Sequence, residues 1–91
     1  MPKKNIVRTV IPADPALPRR TIEPANGKRL TLEEAQAVVG GYIEPVYLPG
    51  KRVLYVNEEG LLHGLPLNER ASIVGGRVLV GDALLVKGGS F

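Results

Sequence analysis

Apolar positions along this chain come in short runs broken by glycine, proline and asparagine, with no long helical stripe. Ile6, Val7, Val10 and Ile11 are apolar and β-branched, so residues 5–11 predict a strand. Pro12, Pro15 and Pro18 then interrupt regular structure, and this segment reads as a linker or an extended arm. Residues 20–23 predict a second strand, and Asn26-Gly27 a tight turn, because both residues tolerate positive φ. Thr31-Leu32-Glu33-Glu34 has the spacing of a capping box, in which the hydroxyl and the carboxylate satisfy each other's amides. The helix it starts would bury Leu32, Ala35, Val38 and Val39 and stop at Gly40-Gly41 through a left-handed cap. At about two turns, such a helix needs a sheet to pack on.

Tyr42 to Leu48 predicts a strand that carries Pro45, which places it at an edge or bends it. Pro49-Gly50 turns the chain into a second strand over Arg52 to Asn57, whose Val53-Leu54-Tyr55-Val56 core is apolar on both faces and hence central. Asn57-Glu58-Glu59-Gly60 closes that strand, and Leu61 to Leu65 predicts a short antiparallel return. Asn68 suits the N-cap of a short helical turn through Ala71. Residues 77–80 and 83–86 flank Gly81-Asp82 as a bulged strand or a hairpin. The tail Gly88-Gly89-Ser90-Phe91 reads as mobile, with Phe91 able to dock on a neighbour.

Strands outnumber helices and the connections are short. The fold class expected is α+β: a small, mainly antiparallel sheet with one packed helix and a short second helical turn. Residues 1–20 form a basic, proline-rich strand or arm in this reading, and residues 21–91 the compact domain. The two Val-Gly-Gly runs (39–41 and 74–76) have different surroundings and make no repeat.

Composition narrows the function classes. With 91 residues the core is small, so self-association, most simply as a two-fold dimer, would help stability. Cysteine is absent and His63 is the single histidine, which excludes disulfides, thiolate zinc sites and a multi-histidine metal site within one chain. The start Met1-Pro2-Lys3-Lys4 leads into no secretory-type apolar run, and nothing approaches a membrane span, so a cytoplasmic location is expected. The net charge of +3 is uneven: residues 1–30 hold seven basic and two acidic groups, residues 31–91 five basic and seven acidic. A basic N-terminal third attracts polyanions. Yet the chain lacks a recognition helix and the aromatic motifs of single-strand binders, which speaks against nucleic acid as its main partner.

Catalytic signatures do not emerge. Glu58 and Glu59 are neighbours in a turn, so their carboxylates point apart instead of facing each other across a substrate. Ser72 and Ser90 lack a nucleophile elbow, and His63 has no evident nucleophile beside it. Gly40-Gly41 follows a helix instead of opening one, so it is no phosphate loop. The remaining candidates are binding groups. Tyr42, Tyr47 and Tyr55 offer stacking faces, Lys51, Arg52 and Arg70 offer charge, and Asn57 and Asn68 offer hydrogen bonds. Tyr42, Arg52, Asn57, Asn68 and Arg70 make up the candidate ligand site, with Arg70 and Tyr42 expected in one pocket and Arg52 reaching in from a partner chain. No catalytic, metal or cofactor residue is expected.

The runs Val39-Gly40-Gly41-Tyr42-Ile43-Glu44, Asn57-Glu58-Glu59-Gly60, Leu65-Pro66-Leu67-Asn68 and Val80-Gly81-Asp82-Ala83 resemble a family of small proteins of unknown function common in phages and mobile elements. The resemblance spans roughly residues 22–87. It implies a phage or mobile-element origin and a non-enzymatic accessory role in the host cytoplasm. Two functions are compatible with it. One is capture of a small phosphorylated or nucleotide ligand, such as a signal of antiphage defence. The other is a protein–protein inhibitor or adaptor acting on a host enzyme. A further alternative, from the charge of residues 1–30, is weak nucleic-acid binding.

Overall fold

A computed structural model describes residues 5–91. Five strands form one antiparallel sheet in the order β2-β1-β5-β4-β3. In chain order these are β1 (Val7–Ile11), β2 (Arg20–Thr21), β3 (Ile43–Leu48), β4 (Arg52–Asn57) and β5 (Ala83–Lys87). Helix α1 (Leu32–Val39) connects β2 to β3, and α2 (Glu69–Gly75) precedes β5. The last strand therefore inserts between β1 and β4, with Val10 opposite Leu84 and Val53 opposite Val86.

The two side-chain parities of the central strands feed two separate cores. Val10, Tyr55, Leu84 and Val86 face Leu30 and Ala35 on the α1 side. Ile11, Leu54, Val56 and Ala83 face Ala71 and Leu79 on the α2 side. The sheet is thus covered on both faces, which is why Val53–Val56 and residues 83–86 are apolar without alternation. This is the α+β architecture expected, but its second helix is longer than a single turn and packs on the face opposite the first.

Local signals place the elements. Thr31 Oγ1 accepts from the Glu34 amide at 3.1 Å, and Glu34 Oε1 accepts from the Thr31 amide at 2.9 Å, completing the capping box. Gly40 ends α1 with φ 80. Ala35 and Val39 are buried and Val38 half-buried, whereas Leu32 stays exposed, because in the first turn it falls outside the sheet-facing side. Pro45 lies on β3, an edge strand, where a missing N–H costs no ladder bond.

The strand expected over residues 5–11 forms as β1, which is paired on both sides and puts Val10 and Ile11 in the core. Three other expectations are corrected. The proline-rich stretch that follows is docked at its start: Pro12 and Ala13 are buried, and the Ala13 amide donates to Asp82 Oδ1 at 2.9 Å. The turn expected at residues 57–60 forms, but the strand expected over residues 61–65 does not: the turns continue through Gly64, held by the His63 amide on the Glu59 carbonyl and the Leu65 amide on the Gly60 carbonyl. Residues 77–80 pair only through an isolated bridge between Leu67 and Val80, so no hairpin forms about Gly81-Asp82.

The tail is also held. Phe91 packs against Tyr55 with ring centroids 5.1 Å apart and the ring planes tilted by 53°, and its main-chain oxygen accepts from Arg8 Nε at 2.6 Å and from the Leu30 amide at 3.0 Å. Arg8, a nearly buried guanidinium, also donates to the Lys28 and Ile6 carbonyls. Lys3 and Lys4 of the expected basic arm lie outside the described residues. Among the described residues no helix is long and apolar enough to cross a membrane.

Candidate functional site: an apolar groove with an acidic rim

The five sequence-predicted site residues do not converge. Asn68 is fully buried, and its Nδ2 donates to the Ile11 carbonyl at 2.8 Å and the Gly81 carbonyl at 2.9 Å. Its Oδ1 accepts from the Ala71 amide at 3.0 Å, the N-cap bond of α2. Asn57 is likewise buried, donating to the Val39 carbonyl and accepting from the Glu59 amide. Arg70 bends back over the proline-rich loop and donates to the Pro12 and Asp14 carbonyls at 2.7 and 3.0 Å. These polar atoms hold the fold, because buried main-chain carbonyls need donors.

Tyr42 and Arg52 are the two members left free enough to meet a ligand. Tyr42 is exposed and borders a shallow depression of about 190 Å³ with Gln36, Gly41 and Glu59. Arg70 is not among the residues bordering it, so the expected Arg70–Tyr42 pocket does not form. Arg52 lies at the far end of β4, with its Nε on the Pro49 carbonyl at 2.9 Å. Tyr55 is buried and faces Phe91, and burial followed by the nearby Tyr47 pushes its phenol above the ordinary value.

A larger groove, about 510 Å³, opens where the turns after β4 pass the segment between α2 and β5. Leu61 and Leu62 project from the first wall and Val78 from the second, with relative exposures of 82%, 78% and 75%. Val56 and Leu79, both core residues, form part of its lining. Glu44, Glu58 and Glu59 supply carboxylates around it. Arg77 is the one arginine or lysine among the bordering residues, and it is paired with Glu44 at 2.9 Å. The groove is therefore apolar at its centre and negative at its rim.

The leucines are outside for a local reason. Gly60 has no room for a side chain, since a Cβ there would come within 2.7 Å of Val80 Cγ2. The chain passes the core closely at Gly60 and leaves it at once. Gly64, with φ 64, lets it return to Leu65. Two glycines four residues apart thus bracket an outward loop. That spacing was the available sequence signal, and the reading of residues 61–65 as a strand masked it.

Chemistry beyond binding finds little here. The Ser72 hydroxyl is engaged with the Asn68 carbonyl at 2.6 Å and the Leu79 amide at 2.8 Å. His63 lies exposed beside Glu59 at 3.5 Å. Among the described residues no group of three or more His, Asp or Glu side chains is placed to hold a metal ion.

A family model described as a domain of unknown function (DUF3846) matches residues 7–91. No curated protein and no solved structure matches the chain.

Proposed function

The chain belongs to the DUF3846 family, a domain of unknown function, and we propose that it serves as a non-enzymatic interaction module that binds a protein partner through the acidic-rimmed groove. This is the inhibitor or adaptor reading, and the phage and mobile-element setting carried by the sequence resemblance is part of the proposal. The observation that supports it is the grouping of Leu61, Leu62 and Val78 at one opening. Covering a large aliphatic side chain that water now surrounds gains roughly 1.5–3 kcal/mol. Clustered apolar exposure of this kind marks an interaction surface. The carboxylates of Glu58 and Glu59 select the occupant by charge. The partner presents a short apolar segment flanked by lysine or arginine.

The ligand-capture reading draws less support at its original residues, since Asn57, Asn68 and Arg70 already spend their polar atoms on the main chain. The test is a peptide array probed with the purified protein, followed by titration of the best basic-apolar peptides. Leu62→Asp should abolish peptide binding and leave the melting temperature within the range of ordinary surface changes. If peptides of this class bind neither the parent nor any variant, or if Leu62→Asp binds them as well as the parent, the groove is not the interaction surface.

A further inference from the structure

The opposite end of the sheet carries a second, unrelated feature. Arg52 of β4 and Lys87 of β5 are directly opposed in the ladder and share one face. Like charges in that relation are destabilising. Lys51 adds a third cation next door, in the left-handed region with φ 55. A lysine there costs backbone strain that glycine or asparagine would largely avoid. Among the described residues no carboxylate lies within ion-pair distance of any of the three, whereas Arg8, Arg77 and His63 each have one.

Arg52 is also oriented in advance. Its Nε is anchored on the Pro49 carbonyl, and its two terminal amino groups donate to no acceptor among the described residues. An anchored guanidinium with a free fork is the geometry that takes two oxygens of a phosphate. Arg52 and Lys51 border one cavity of about 330 Å³ together with Tyr47, Gly88 and Gly89. Lys87 is exposed on the same face as Arg52, whereas Tyr47 pairs with Val53 and belongs to the other face of the sheet.

We infer that this end of the sheet is a binding site for a small molecule that carries a diphosphate, with Arg52, Lys87 and Lys51 taking the phosphate oxygens. The anion removes the like-charge repulsion that the empty ladder carries, so binding and stability are coupled. The site is independent of the groove: Arg52 and Asn57 stand at opposite ends of β4, roughly 17 Å apart at the usual strand rise.

Calorimetric titration of the full chain with ADP and with pyrophosphate tests this. Both are expected to bind, because each presents a diphosphate to the three cations. Arg52→Gln and Lys87→Gln should each weaken ADP by about tenfold or more, the value of one charge-assisted contact. Lys87→Gln should at the same time melt no lower than the parent, because it relieves the opposed pair. A merely structural lysine would not show that combination. Absence of heat with either probe at millimolar concentration, or undiminished ADP affinity in both variants, would overturn the site. So would tight, salt-steep binding of a single-stranded oligonucleotide without any binding of ADP, which would make the cluster a polyanion surface.

Discussion

The Asn68 side chain donates to the Ile11 carbonyl at 2.8 Å across 57 residues of sequence, tying the cap of α2 to the end of β1. The same amide group reaches the Gly81 carbonyl, while its oxygen caps α2. One buried side chain therefore joins the first strand, the second helix and the entry to the last strand.

Asn68→Ala should lose more than an ordinary cap. A cap alone is worth about 1 kcal/mol, and each buried carbonyl left without a donor adds about 1–3 kcal/mol. A loss of roughly 3–7 kcal/mol in chemical denaturation is expected. Asn68→Asp keeps the acceptor but sets a carboxylate against two carbonyls, so it should not rescue stability. A loss no larger than that of a surface cap would show that the two carbonyls find other donors.

Arg8→Met should release the tail without removing the apolar stem. The Phe91 oxygen and the Lys28 carbonyl lose their guanidinium donors, and Phe91 keeps only the Leu30 amide and its contact with Tyr55. Hydrogen exchange at Leu30 and over residues 88–91 should accelerate, with the β4 and β5 amides changing less. Uniform acceleration across the sheet would mean that Arg8 supports the whole domain and not the tail alone.

Gly88→Ala should destabilise for two independent reasons. The residue has φ 96, and a Cβ there would lie 2.8 Å from the Asn5 carbonyl oxygen, a backbone atom. A cost of about 1–3 kcal/mol is expected from strain in that region. Gly27→Ala, with φ 74 but open space around it, should cost less, and the difference between their denaturation midpoints measures the steric part.

Glu34 sets an acid sensitivity. Its carboxylate accepts from the Thr31 amide first and the Ala25 amide second, and both hold its pKa below the usual 4.5. A lowered pKa in the fold means stability that is present above the unfolded value and lost as pH falls through the folded one. Glu34→Gln should melt lower than the parent near neutral pH, and the two should converge as pH falls below 4.5. A constant difference down to strongly acid pH would assign the effect to packing and not to charge.

The two cores explain which parts of the fold were legible from the sequence. The capping box at Thr31, the glycine stop at Gly40, the edge position of Pro45 and the cap at Asn68 all depend on residues within a few positions of each other. Local sterics and hydrogen bonding decide them, so they can be read in order along the chain. The failures share the opposite property. The proline-rich stretch reads as a linker or arm until Asp82, 69 residues from Ala13, takes the Ala13 amide and Arg70 donates to the Pro12 and Asp14 carbonyls. Leu61-Leu62 look like part of a strand until Val80 closes the space above Gly60.

Side-chain identity alone determined that this chain builds a small α+β domain of short strands with two capped helices. Only the tertiary structure decided the use of each polar group. Asn57, Asn68 and Arg70 carry chemistry suited to a ligand, but buried carbonyls from distant segments claim them first, since an unmet buried carbonyl costs more than a surface contact returns. Arg52 and Lys87 were brought face to face by the register of β4 against β5, and Leu61, Leu62 and Val78 were left in water because both faces of the sheet were already covered. Pairing register and the filling of a core are properties of the whole chain at once, and no local window of sequence contains them.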